Sequence, residues 1–180
     1  DRKLQTLFLA RDRMGVKPLH YAVLADGTFI FGSELKVITA HPGFRREIDP
    51  LAVEDYFALG YVAEPRCIYR GAHKLLPAHT LTLKRGEPHP EPRPYWDVRF
   101  SNDSRLSTAE AIAELRSRLD EAVKLRMIAD VPLGAFLSGG VDSSAVVASM
   151  ADQSSNRVQT CAIGFEDPAF NESEYAARVA

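Results

Sequence analysis

Two cysteines, Cys67 and Cys161, are all that the 180-residue chain contains, too few to set a disulfide framework. A reducing, cytoplasmic setting is the expectation that follows. Long apolar runs are lacking too, and none approaches the roughly 18 to 20 residues a membrane-spanning helix requires. The opening DRKLQTLFLA has too short an apolar core, and no small-residue cleavage pattern, to read as a signal peptide. Nor does charge of one sign dominate: 22 Lys and Arg against 24 Asp and Glu leave a net charge of −2. The total therefore points to neither nucleic acid nor a membrane as a partner. The five histidines (His20, His41, His73, His79 and His89) fall at no metal-ligand spacing, so structural or surface roles are expected of them. Missing as well are an initial Met and a closing turn, since the chain ends inside NESEYAARVA, a helical pattern without a C-cap glycine. It reads as an interior piece of a longer protein.

What is present changes character near the middle. TLFLA (6–10), LHYAVL (19–24) and TFIFG (28–32) are rich in β-branched and aromatic residues and read as strands. Asp26-Gly27 between the last two predicts a hairpin closed by a two-residue type I′ turn. SELKVITAHPG reads as a brief helix from Ser33, stopped near Pro42 and Gly43. In DPLAVEDYFALG, Asp49 is the N-cap and Pro50 the first helical residue; Leu51, Val53, Phe57 and Leu59 are apolar, and Gly60 follows the end. HTLTLK (79–84) alternates as a strand.

KRGEPHPEPRPYW places four prolines between Pro88 and Pro94, which forbids helix and removes ladder donors. It reads as an extended connector and puts a domain boundary at about residue 98; a long loop inside one domain is the alternative. Beyond it, Ser107 and Glu110 form a capping box for a helix to about Met127, with a buried stripe of Ile112, Leu115, Leu119, Ala122 and Val123. Glu114 with Arg118, and Asp120 with Lys124, are spaced for i,i+4 pairs. Then VPLGAFL, DSSAVVASMA, VQTCAIGF and ESEYAARVA read as buried strand, helix, buried strand and helix. That order is the grammar of a doubly wound parallel sheet, an α/β fold.

The chemistry concentrates in SGGVDSS, residues 138–144, between a strand closing at Leu137 and a helix starting near Asp142 or Ser143. In open α/β sheets, ligands bind at the carboxyl ends of the strands. Gly139 and Gly140 let an anion approach backbone N–H groups, and Ser138, Ser143 and Ser144 add hydroxyl donors. The helix start favours phosphate oxygens. Asp142 would repel phosphate unless a hard cation such as Mg²⁺ lies between them. No lysine follows the glycines, which separates the loop from GxxxxGK[ST], and it is not GxGxxG. A glycine-rich turn capped by Asp and Ser, with no ligand, is the structural alternative.

SGGVDSS resembles the PP-loop of the N-type ATP pyrophosphatases, whose SGGxDS pattern it matches at Ser138, Gly139, Gly140, Asp142 and Ser143. ARDRMGVKPLHYA, FGSELKVITAHP, GYVAEPRCIYRGAHKLLPAHTLTL and DVPLGAFLSGGVDSS resemble, in that order, the glutamine-hydrolysing asparagine synthetases, over almost the whole chain. This resemblance implies two domains. Residues 1–98 would be the α+β back part of an N-terminal-nucleophile-type glutaminase sandwich; residues 99–180 would begin the parallel-sheet synthetase domain. It implies a ligase that adenylates the side-chain carboxylate of aspartate with ATP and Mg²⁺ and amidates it with ammonia from glutamine. Ser138, Gly139, Gly140, Ser143 and Ser144 would hold the pyrophosphate portion of ATP, with Val141 inside the same stretch, and Asp142 would hold Mg²⁺. Phe136 and Leu137 would lie near the nucleotide, and Ile163 would meet the adenine through its backbone; plain core is the alternative for Phe136 and Ile163.

The family's glutaminase nucleophile is an N-terminal cysteine, and residue 1 here is Asp. Cys67 has no supporting His or Asn nearby, and Cys161 reads as a small core residue in mid-strand. No catalytic nucleophile is therefore assigned, and the 180 residues alone are expected to be inactive. Arg11, Asp12, Arg13 and Lys17 in RDRMGVKP suit either an interdomain contact or a salt-bridged turn. Ser33, Glu34 and Lys36 have the same two readings. Relatives in exopolysaccharide systems, which would amidate another carboxylate, and an inactive binding homologue remain alternatives. A homodimer is left open.

Overall fold

In a computed structural model, residues 1–86, 90–101 and 105–180 are described. They form two compact units, Asp1–Phe100 and Ser101–Ala180. Pro88 and His89, singled out in the sequence, lie outside the described residues.

The first unit carries two small antiparallel sheets. Strand β1 (Thr6–Ala10) pairs with β5 (His79–Lys84), which also pairs with β6 (Pro92–Pro94). Strand β2 (His20–Val23) lies between β3 (Phe29–Gly32) and β4 (Ala72–Lys74). Period-two alternation decides what is buried. Leu9 faces Leu81 and Leu7 faces Leu83 across β1 and β5, and these leucines pack with Leu75, which follows β4, and with Tyr21 and Phe29 from the other sheet. On the opposite face of β2, Ala22 packs with Ala72, Cys67 and Ile38 of helix α1 (Leu35–Thr39). The β3-β2-β4 sheet thus shares apolar clusters with the other sheet and with α1.

Several local expectations hold. Helix α2 (Pro50–Leu59) starts at Pro50, its N-cap Asp49 accepts a hydrogen bond from the Leu51 N–H, and Gly60 ends it. The β2–β3 hairpin exists, but its loop differs from the expected type I′ turn. Gly27 donates to the Leu24 carbonyl and Leu24 to the Thr28 carbonyl, so the loop has three residues. Only Gly27 has positive φ (82°), while Asp26 accepts the Thr28 N–H at 2.9 Å. That side-chain bond holds Asp26 in an ordinary conformation and leaves the left-handed position to glycine alone. Helix α1 begins at Leu35 rather than Ser33, and its N-cap Glu34 makes no side-chain cap.

Two strands were not expected. Strand β4 is three residues long, and β6 lies inside the proline-rich connector. The alternate prolines do keep this stretch extended. Pro92 and Pro94 flank Arg93, which sits opposite Thr80 of β5, so the segment makes an edge strand, where missing N–H groups are tolerated.

The second unit runs α3 (Thr108–Arg126), β7 (Gly134–Phe136), α4 (Val141–Gln153), β8 (Gln159–Cys161) and α5 (Ser173–Val179). The capping box forms, with the Glu110 N–H bonded to Ser107 Oγ and the Ser107 N–H to Glu110 Oε2. Strands β7 and β8 are parallel, Ala135 opposite Thr160, with α4 as the crossover between them. Leu137, Val147 and Ala176 form the cluster beneath α4 and α5. This mixed α/β arrangement supplies one parallel pair.

Burial departs from expectation here. Of the anticipated α3 stripe only Val123 is buried, and Ile112 and Leu115 are exposed. An amphipathic stripe fixes which face seeks a partner, and within this unit only the C-terminal end of that face has one. Asp120 does not pair with Lys124. Its carboxylate accepts from Ser149 Oγ of α4 at 2.5 Å, while Gln153 Nε2 donates to its backbone carbonyl at 3.0 Å. The Glu114–Arg118 pair forms at 2.6 Å. Cys161, expected in a core, is exposed; among the described residues β8 pairs with β7 alone. Among the described residues no helix is long and apolar enough to cross a membrane.

Candidate functional site

The loop after β7 is anchored from below. Leu137 is only 2% exposed, its side chain packs on Val147 and Ala176, and its N–H donates to the Cys161 carbonyl at 2.9 Å. From this fixed point the chain turns on its own serines. Ser138 Oγ accepts from the Gly140 N–H at 3.3 Å and lies 2.9 Å from Ser143 Oγ, which also accepts from the Ser138 N–H. Ser138 and Ser143 thus close the loop on itself and set its curvature.

The two glycines have different physical reasons. Gly139 has φ of +82°, and a Cβ there would sit 2.4 Å from the Tyr175 carbonyl carbon and 2.6 Å from the Ala176 nitrogen. Only glycine allows the first turns of α5 to press against the loop so closely. Gly140 has φ of −71° and is the N-cap of α4; a Cβ there would meet only Ser138 Oγ, at 3.4 Å. Gly140, and not Gly139, is the position kept open.

No side chain caps α4. Within the turn Ser138 and Ser143 do bond the backbone, as the ligand-free alternative expects, while Asp142 caps nothing. The first-turn N–H groups of a helix have no intrahelical partner, and with the positive dipole end they attract an anion. Ser144 Oγ is buried without a hydrogen-bond partner among the described residues. Asp142 is exposed in the first turn of α4 and makes no hydrogen bond or ion pair among the described residues. No group of three or more His, Cys, Asp or Glu side chains able to hold a metal exists among the described residues. A lone, uncommitted carboxylate beside an anion-seeking helix end suits Mg²⁺ shared with phosphates rather than held in a protein cage.

Beside the loop, at the carboxyl ends of β7 and β8, lies a cavity of about 260 Å³. It brings together the predicted Phe136, Leu137, Ser138 and Ile163 with Phe165 and Glu172. Phe136 and Ile163 are 77% and 66% exposed, so they are surface walls and not plain core. Val141, 86% exposed, is not one of the lining residues. Phe165 and Glu172 went unnoticed in the sequence. The signal was available: they follow β8 at the sheet edge where Leu137 and Ser138 follow β7, and ligands gather along that edge.

In the first unit, Cys67 is buried and desolvation pushes its thiol pKa up, the opposite of an activated nucleophile. Arg11 is 6% exposed. It donates to the carbonyls of Lys17 (3.0 Å), Gly15 (3.1 Å) and Leu75 (2.5 Å) and to Glu64 Oε1 (2.9 Å). Asp12 accepts the N–H groups of Val16 and Lys17, and these bonds hold its carboxyl below the usual range. Arg11 is thus ion-paired with Glu64 and bound to carbonyls of its own turn, while Asp12 binds the turn's backbone N–H groups with no ion pair among the described residues. Arg13 instead lies over the Trp96 ring, 5.4 Å from its centroid.

Residues 1–96 match the family described as Glutamine amidotransferase domain, and residues 114–180 match the family described as Asparagine synthase. The chain is 39% identical over 149 residues to glutamine-hydrolysing asparagine synthetase 3 of Bacillus subtilis, covering 82% of this chain and 24% of that protein. It is 31% identical over 181 residues to glutamine-hydrolysing asparagine synthetase 1 of the same organism, covering 97% and 27%. Amidase chyE of Penicillium rubens is 38% identical over 156 residues, covering 84% and 22%. The chain thus spans between 22% and 27% of the length of these relatives.

Proposed function

The chain belongs to the glutamine amidotransferase domain family over its first half, joined to a stretch of the asparagine synthase family, and from that premise we propose that it is part of a cytoplasmic ATP-dependent ligase that makes asparagine. The carrying observation is the uncapped N-terminus of α4 behind Gly140, with the cavity of Phe136, Ser138 and Ile163 beside it. A phosphate chain on the α4 N–H groups and a nucleoside in the cavity would share Ser138 as their common wall.

In this reading the N–H groups at Val141–Ser143 and the buried Ser144 hydroxyl orient the β- and γ-phosphates as the leaving pyrophosphate. Mg²⁺, held by Asp142, would neutralise charge between those phosphates. An aspartate carboxylate oxygen attacks the α-phosphorus, the bond to pyrophosphate breaks, and a carboxyl–AMP anhydride forms. Ammonia, released from glutamine at the glutaminase domain, attacks the carbonyl carbon, and AMP leaves with one former carboxylate oxygen. Adenylation is needed because a free carboxylate is a poor electrophile. The first unit serves as part of the glutaminase scaffold and the second as the start of the synthetase.

Asp142→Asn tests the reading. Pyrophosphate release by the full-length protein, with ammonia supplied, should depend on aspartate and should fall at least about tenfold in the variant, from loss of a charge-assisted contact. Unchanged release would remove the metal role. Because amidase chyE is not named for asparagine, a second reading keeps the adenylation and changes the carboxylate. Pyrophosphate release driven by a carboxylate other than aspartate would favour it.

A further inference from the structure

The cavity beside the loop is apolar except at one side. Phe136, Leu137, Ile163 and Phe165 supply most of its walls, Ser138 and Cys161 lie on it too, and its one carboxylate is that of Glu172. Glu172 is the residue before α5. Its side chain caps nothing, is exposed, and makes no hydrogen bond or ion pair among the described residues. Its backbone is committed, since the Glu172 carbonyl accepts the Ala176 N–H at 3.1 Å. The same Ala176 lies against Gly139, where a Cβ would come within 2.6 Å of its nitrogen. Glu172 therefore stands one helical turn before the backbone that packs on Gly139, and it lines the same cavity as Ser138.

The segment leading to it is held in place as well. Asn171 Oδ1 accepts both the N–H and the hydroxyl of Ser173, at 3.1 and 2.7 Å, and Asp167 Oδ1 accepts the Ala169 N–H at 2.9 Å. A free carboxylate on a fixed turn next to a phosphate cradle is costly if it faces the phosphates, because like charges repel. It is favourable one group further along the nucleotide, where the sugar presents hydroxyl donors between the phosphates and the base. A carboxylate accepting from ribose hydroxyls is a recurrent solution in nucleotide sites.

We propose that Glu172 is the specificity-determining residue for the sugar of the nucleotide, accepting a hydrogen bond from the ribose 2′-hydroxyl of ATP and selecting it over its 2′-deoxy counterpart. The inference rests on the nucleotide reading of the loop and extends it to a residue outside the loop. Hydrogen bonds to a charged acceptor shift binding by about 10- to 100-fold. The full-length protein should accordingly bind ATP at least about tenfold more tightly than 2′-deoxy-ATP.

The test is a titration of wild type, Glu172→Ala and Glu172→Gln with ATP, 2′-deoxy-ATP and ITP, with Gly140→Ala as a second arm. Glu172 is exposed and bonded only through its backbone, so both variants should keep wild-type circular dichroism. In Glu172→Ala, ATP binding should weaken about tenfold or more while 2′-deoxy-ATP binding stays put, so the ratio collapses toward one. Equal weakening of both nucleotides, or no change in either, overturns the proposal. Selective rescue of ITP with the deoxy ratio intact also overturns it, because the carboxylate would then face the base. If wild type binds ATP and Gly140→Ala loses it while the Glu172 ratio is unmoved, only the sugar assignment fails. If wild type binds no ATP, the loop reading fails with it.

Discussion

Alanine at Gly139 and alanine at Gly140 should have opposite effects, although the two residues are neighbours in one motif. At Gly139 the backbone has φ of +82°, which costs an ordinary L-residue about 1–2 kcal/mol. The new methyl would also lie 2.4 Å from the Tyr175 carbonyl carbon, 2.5 Å from its Cβ and 2.6 Å from the Ala176 nitrogen. None of these atoms is the free end of a flexible side chain. Helix α5 must therefore shift, disturbing Ala176 and its contact with Leu137 and Val147, and such overpacking costs about 1–3 kcal/mol. Together Gly139→Ala should lose about 2–5 kcal/mol. At Gly140, φ is −71° and the nearest atom is Ser138 Oγ at 3.4 Å, so stability should stay within about 1 kcal/mol of wild type. Its methyl would instead stand where phosphate approaches, weakening ATP binding by at least about tenfold. Urea unfolding followed by circular dichroism measures the first effect and nucleotide titration the second. Wild-type stability in Gly139→Ala, or a large loss in Gly140→Ala, would refute this division of labour.

Three further outcomes concern the rest of the chain. Arg11→Ala leaves Glu64 and three carbonyls without their shared donor and should cost about 3–5 kcal/mol in urea unfolding; Arg11→Lys should recover little, since an ammonium cannot span the fork. Burial lowers the pKa of His20, against an opposing contact with the Ser33 carbonyl, and burial lowers that of His73. The unfolded state then binds more protons, so this stability is complete above the ordinary imidazole pKa and lost as pH falls through the folded values. His20→Gln should flatten the pH dependence of unfolding between about pH 7 and 5, and an unchanged slope would exclude His20 as a contributor. Cys161 is exposed on the cavity wall whereas Cys67 is buried with its thiol pKa raised. A thiol reagent should label Cys161 alone in the folded chain, and ATP should slow it; labelling indifferent to ATP would place the nucleotide elsewhere.

What could be read from the sequence was local chemistry. The Ser107–Glu110 box and the Asp49-Pro50 start of α2 are each complete within four residues, so nothing distant could override them. The loop was legible for the same reason, as glycines, serines and a carboxylate at a strand-to-helix turn. Non-local pairing was not. Strand β4 carries only Ala72–Lys74 and exists because β2 lies beside it, and β6 forms among prolines because β5 offers an edge. Such short strands answer to their neighbours more than to their own propensity. Exposure of Ile112, Leu115 and Cys161 was equally beyond reach, since periodicity names a face but not what covers it. The close approach of α5 to Gly139 joins residues 36 positions apart, and no motif spacing encodes it.

Adenylation would carry one oxygen of the acceptor carboxylate into AMP. Full-length protein supplied with ATP, Mg²⁺, ammonia and aspartate labelled with ¹⁸O in its side-chain carboxylate should yield AMP carrying one ¹⁸O atom, together with pyrophosphate. Unlabelled AMP, or label appearing in inorganic phosphate beside ADP, would contradict adenylation at this loop.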